Sequence, residues 1–118
     1  MNMAANVVVT LIGLLHVYIL VLEMFLWQTP RGMKAFGNTP EKAAITKVLA
    51  ANQGLYNGFL AAGLFWGVWL GADGYGVKVF FLLCVLVAGL YGAATASRKI
   101  LYIQALPAAI GLFWVVCA

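Results

Sequence analysis

The stretch VVVTLIGLLHVYILVLEMFLW, residues 7 to 27, decides the fold. It is almost wholly apolar, and at about 1.5 Å of rise per residue it reaches roughly 30 Å as a helix, the hydrocarbon thickness of a bilayer. Two ionisable residues interrupt it, His16 and Glu23, seven places apart and therefore on one helix face. An ionisable group at membrane depth must face a partner or a water-filled cavity, which makes this pair the first functional candidate in the chain.

The surrounding composition carries the same message. Of 118 residues 65% are hydrophobic and 8% charged, whereas soluble domains carry about 25% charged residues. At roughly 20 residues per crossing the chain has room for four spans and little else. Apolar runs at about 7–27, 48–70, 77–96 and 100–117 supply them. The fold class expected is all-α, an antiparallel four-helix bundle in the membrane forming a single transmembrane domain over residues 1–118. A net charge of +4 does not imply nucleic acid, because the basic residues lie in the links between apolar runs. Arg31, Lys34, Lys42 and Lys47 fall in the first link and Arg98 and Lys99 in the third, leaving only Lys78, with Asp73, in the middle one. The positive-inside rule makes links 28–47 and 97–99 cytoplasmic and both termini external. No basic segment precedes the first apolar run, so that run reads as a retained helix rather than a cleaved signal.

The first link carries helix signals of its own. Thr29-Pro30 and Thr39-Pro40 each place a capping hydroxyl before a proline at the first helical position. They predict a short interfacial helix over Arg31–Phe36, closed by Gly37, and a second helix start that carries Glu41, Lys42 and Lys47 above the membrane. Two glycine rows mark the second span: Gly54, Gly58 and Ala62 on one face, and Gly63, Gly67 and Gly71 on roughly the opposite one. Such rows let helices approach closely, and a pair of them implies either a central helix or a dimer contact on one face.

Counting rise from the charged and aromatic ends places the polar residues in levels. Glu23, Asn52, Gln53, Tyr91, Thr95 and Gln104 fall in the cytoplasmic third, with His16 and Asn57 deeper and Tyr56 one turn beyond Asn52. Every helix thereby offers a polar group at one depth, as a pocket open to the cytoplasm requires. Each residue also has a purely structural reading. Glu23 can pair with Arg31, Arg98 or Lys99, His16 can be a hydrogen-bonded packing residue, and the amides can join helices to one another. His16 and Glu23 are about 10.5 Å apart along the axis by helical rise, so a proton relay between them needs a water or a ligand. Pro107, three places after Gln104, frees a carbonyl near Ile103 and predicts a kink.

No zinc, phosphate-loop or serine-nucleophile signature is present and no metal site is expected, while the sequence leaves any cofactor unassigned. Cys84 and Cys117 form no CxxC pair, and their spacing predicts no disulfide. The segments LLHVYILVLEMFLWQTPRGMKAFG and TKVLAANQGLYNGFLAAGLFWG resemble small four-span bacterial proteins of the DUF1304 type, a domain of unknown function. The resemblance covers essentially the whole chain and implies a multi-pass bacterial inner-membrane protein, with no reaction attached. Small-molecule binding or proton-linked transport, with a small apolar or cationic ligand and a homodimeric assembly, is the leading functional expectation. The alternatives are a membrane-embedded enzyme using His16 and Glu23 as acid and base on a quinone- or isoprenoid-type substrate, and an accessory subunit of a membrane complex.

Overall fold

The computed structural model describes residues 3–117, and every regular element among them is helical. The chain runs through α1 (Met3–Met24), α2 (Pro30–Phe36), α3 (Pro40–Trp69), a short 3-10 turn (Gly71–Gly74), α4 (Tyr75–Thr95), a π-helical turn (Leu101–Ala105) and α5 (Leu106–Cys117). It divides into two compact units, one built from residues up to Gly13 together with Leu60 onward, the other from Leu14–Phe59.

The Leu14–Phe59 unit follows the turn chemistry written in its sequence. Thr29 caps α2, its hydroxyl accepting from the Gly32 amide at 3.2 Å and donating to the Leu26 carbonyl at 2.6 Å. Pro30 follows at the first helical position, where a missing N–H costs no hydrogen bond. Gly37 ends α2 in the left-handed region at φ 65°, a conformation glycine adopts without a Cβ clash, and the Asn38 amide then donates back to the Met33 carbonyl at 2.8 Å. Thr39 caps α3 through the Lys42 amide at 3.3 Å. The short helix is pinned from both sides: the Trp27 and Phe36 rings pack in a tilted contact with centroids 4.8 Å apart, and the Trp27 indole donates to Thr46 Oγ1 at 3.1 Å. Phe36 thus packs in part on Trp27.

The second helix start does launch α3, which then continues without a break for 30 residues. Two glycines of each row are used within the chain. In the Leu14–Phe59 unit, Gly54 and Gly58 let α3 lie against α1 at Leu20 and Met24. In the other unit, Gly63 faces Phe81 and Gly67 faces Lys78, so the second row packs on α4. That unit's core is apolar and drawn from four helices: Ala5, Val9 and Ile12 of α1, Leu64 of α3, Leu82 and Val85 of α4, and Ala108 and Val115 of α5.

The end of the chain departs from a simple kink. Pro107 cannot donate to the Ile103 carbonyl. The preceding turn widens, with the Leu106 amide reaching back five residues to the Leu101 carbonyl. Among the described residues two helical segments are long and apolar enough to cross a membrane, Met3–Met24 and Gly71–Thr95, while Leu101–Cys117 is apolar but shorter. Four were expected. In α3 the amides of Asn52, Gln53 and Asn57 and the glycine rows dilute an otherwise apolar run.

Candidate functional site

Within the Leu14–Phe59 unit the close approach of α3 to α1 builds one polar contact. A Cβ on Gly54 would stand 3.2 Å from both Glu23 Cβ and the Leu20 carbonyl oxygen, so the two backbones are as near as glycine allows. One turn further along α3, Asn57 Nδ2 donates to Glu23 Oε1 at 2.6 Å. Both side chains are buried, each 7% exposed. A charged acceptor shortens and strengthens such a bond. Among the described residues of this unit no ion pair engages Glu23, so the pairing with Arg31 that the sequence allowed is not formed. His16, two turns earlier on the same face of α1, is fully buried.

An amide donating to one carboxylate oxygen leaves the other oxygen able to hold a proton or to accept from a bound cation. The arrangement is therefore suited to proton or cation exchange at an apolar address. Among the described residues no group of three His, Cys, Asp or Glu side chains comes together.

The remaining candidates distribute differently. Asn52, Gln53 and Tyr56 are exposed on α3, outside the Glu23–Asn57 contact. Tyr91, Thr95 and Gln104 belong to the other unit. Tyr91 and Thr95 are exposed there, and the Thr95 hydroxyl donates to the Tyr91 carbonyl at 2.8 Å, a local helix-end bond. Gln104 lies half-buried in the π-helical turn. Cys84 and Cys117 are both free thiols.

One ionisable residue escaped the sequence reading. Lys78, assigned above to the middle link, lies in the first turn of α4, fully buried, with its ammonium donating to Asn6 Oδ1 at 2.7 Å. Gly67 makes the room: a Cβ there would stand 2.7 Å from Lys78 Cγ. The signal was available, because Lys78 falls inside the span drawn from Val77 and so met the same criterion as Glu23.

The family described as "Protein of unknown function (DUF1304)" matches residues 10–116. The chain is similar to an uncharacterized protein, YpaA, of Lactococcus lactis subsp. lactis (strain IL1403), at 28% identity over 96 residues, which cover 80% of this chain and 81% of that protein. No solved structure matches it. With a match that takes in Glu23, Asn57 and nearly all of the helices around them, the chain belongs to the DUF1304 family.

Proposed function

We propose that this protein is a multi-span bacterial inner-membrane protein in which Glu23, held by Asn57, is the proton- or cation-exchanging group of a small-molecule binding or transport site. The observation that carries the reading is the 2.6 Å bond between two buried polar side chains, with no ion pair to the carboxylate among the described residues of that unit. Burying an ionisable group without an opposite charge is costly, and Glu23 bears that cost on the helix face that also carries the buried His16.

Membrane insertion is supported by how little the apolar helices bury. In their most apolar windows 33% of α1 and 22% of the segment ending in α4 are buried, whereas the core helix of a soluble protein would be mostly covered. Leu11, Leu14, Phe80, Val87, Ile110 and Phe113 all stand exposed, a surface too apolar for water. In this reading α3 and the π turn with α5 complete four crossings of alternating direction, with links 28–47 and 97–99 in the cytoplasm.

Reconstitution into liposomes containing a trapped pH indicator tests the function. Imposed gradients of sodium, potassium or the lipophilic cation tetraphenylphosphonium are expected to drive proton movement through the natural chain, and Glu23→Gln is expected to abolish it. Proton movement that matches protein-free liposomes under all three gradients, or that survives in Glu23→Gln, overturns the proposal.

A further inference from the structure

One face of α3 is left open by the fold and has the pattern of a helix-pairing seam. Ile45, Leu49, Asn52, Tyr56 and Phe59 follow one another at alternating steps of four and three residues, the spacing of the a and d positions of a heptad repeat. All five are exposed, the four apolar and aromatic ones by 54% to 81%. Ala50, Gly54 and Asn57, on the opposite side, are buried, and the last two abut α1. Tyr56 and Phe59 already stand together, their ring centroids 6.3 Å apart.

Asn52 occupies the middle of this seam, and neither its amide nor that of Gln53 beside it has a hydrogen-bond partner among the described residues. Asn52 lies five residues beyond Lys47, or about 7.5 Å of rise into the span. An amide facing hydrocarbon there leaves donors and acceptor unsatisfied. An asparagine amide both donates and accepts, so the group that satisfies it most economically is another asparagine amide. We infer that the Ile45–Phe59 face of α3 packs against the same face of a second copy of this chain, with Asn52 bonded to Asn52 across a two-fold axis.

The geometry follows from membrane insertion, and to that extent the inference rests on the reading above. Two copies inserted in one orientation are related by a two-fold along the membrane normal, which makes a self-paired helix parallel and places each residue at its own partner's depth. A single polar residue in an otherwise apolar seam fixes that register, because any slip strands both amides. Gly54 and Gly58 already face α1, and Gly63 and Gly67 face α4, so the seam is distinct from the dimer contact that glycine spacing alone suggested.

Cysteine cross-linking in native membranes tests this, with Cys84 and Cys117 replaced by serine and single cysteines placed in turn from Ile45 to Phe59. Disulfide-linked dimers are expected to peak at 45, 49, 52, 56 and 59 and to be weak at Lys47 and Ala51. In the otherwise natural chain, Asn52→Leu is expected to weaken dimerisation in bilayer discs about tenfold, a loss within the range of an intramembrane amide bond, while Val87→Leu on α4 leaves it unchanged. A flat cross-linking profile, a monomer at all concentrations in the discs, or links to a different protein in place of the second copy would each overturn the inference. Resistance to alkaline carbonate extraction, measured on the same membranes, reports insertion independently, so a failed dimer is not confused with a chain that never entered the bilayer.

Discussion

Gly54→Ala measures how far the contact between α1 and α3 depends on the absence of a side chain. The added Cβ would lie 2.6 Å from Met24 Cγ, 3.2 Å from Glu23 Cβ and 3.2 Å from the Leu20 carbonyl oxygen. Carbon atoms settle at about 3.5–4.0 Å, so Met24 would have to withdraw by about 1 Å and the two fixed neighbours by a few tenths. Met24 can move part of its side chain, but the Leu20 carbonyl belongs to a helix backbone and cannot yield alone. Overpacking of this kind costs about 1–3 kcal/mol, against which alanine returns about 0.5–1 kcal/mol of helix propensity. A net loss of about 1–2 kcal/mol is expected. Gly58 and Gly76 calibrate the argument. A Cβ on Gly58 meets only the Leu20 Cδ1 methyl, at 2.7 Å, a flexible end, and one on Gly76 meets nothing within 4 Å. Unfolding in mixed micelles by increasing dodecyl sulfate, followed by tryptophan fluorescence, is expected to rank stability Gly76→Ala at or above the natural chain, Gly58→Ala close to it, and Gly54→Ala clearly below. Equal stability of Gly54→Ala and Gly76→Ala would refute the view that backbone proximity positions Glu23 beside Asn57.

Other expectations come from single contacts. Asn57→Leu strips Glu23 Oε1 of its donor and is expected to cost about 1–3 kcal/mol in the same unfolding assay, whereas Glu23→Gln, which can still accept from Asn57, should cost much less; the reverse order would show that the bond does not hold α1 to α3. Thr29→Ala removes both the Gly32 cap and the bond to the Leu26 carbonyl. It should cost about 1 kcal/mol and raise hydrogen exchange in residues 30–36, and unchanged exchange there would count against the cap. Lys78→Met replaces a buried ammonium by an apolar chain of similar shape and is expected to be neutral or stabilising, while Asn6→Leu leaves that ammonium without its acceptor and should destabilise strongly. Comparable losses in both variants would mean that Lys78 contributes net stability.

The parts of the fold legible in the sequence are those set by local chemistry. Thr29-Pro30, Gly37 and Thr39-Pro40 each carry their hydrogen bonds within a few residues, so reading them required no knowledge of distant neighbours, and the caps formed where the motifs put them. The grouping of Glu23 with Asn57 was only half legible. Depth counting put Glu23 in the cytoplasmic third and Asn57 deeper, beside His16, whereas Asn57 bonds Glu23; rotation about the helix axis also decides which groups meet, and rotation is fixed by packing. Asn52 and Asn57 show the consequence: five residues apart, they lie on nearly opposite sides of α3, one exposed and one bonded to Glu23. Lys78 was misplaced for a different reason. A single charge close to the end of an apolar run fits a link as well as a first helical turn, and only the space opened by Gly67 and the acceptor on Asn6 distinguish the two.

Glu23 and Lys78 share a design. Each is buried, each is met by a single asparagine from another helix, and each lies where a glycine of α3 lets the backbones close. Asparagine bonds a charge without cancelling it. A salt bridge would hold such a side chain by strong mutual attraction in a medium of low dielectric, and removing either partner would be severely destabilising. An amide instead orients the ionisable group and leaves its charge state open to exchange with a proton or a small ion, at a modest cost in stability. For Glu23, where His16 is buried on the same helix face, that openness is what a binding or transport site requires. For Lys78, packed beside an apolar core cluster, the same chemistry serves a structural join between α4 and α1. Under the proposed function, Glu23→Gln is therefore expected to remove proton movement while sparing the fold, and Lys78→Met to spare both.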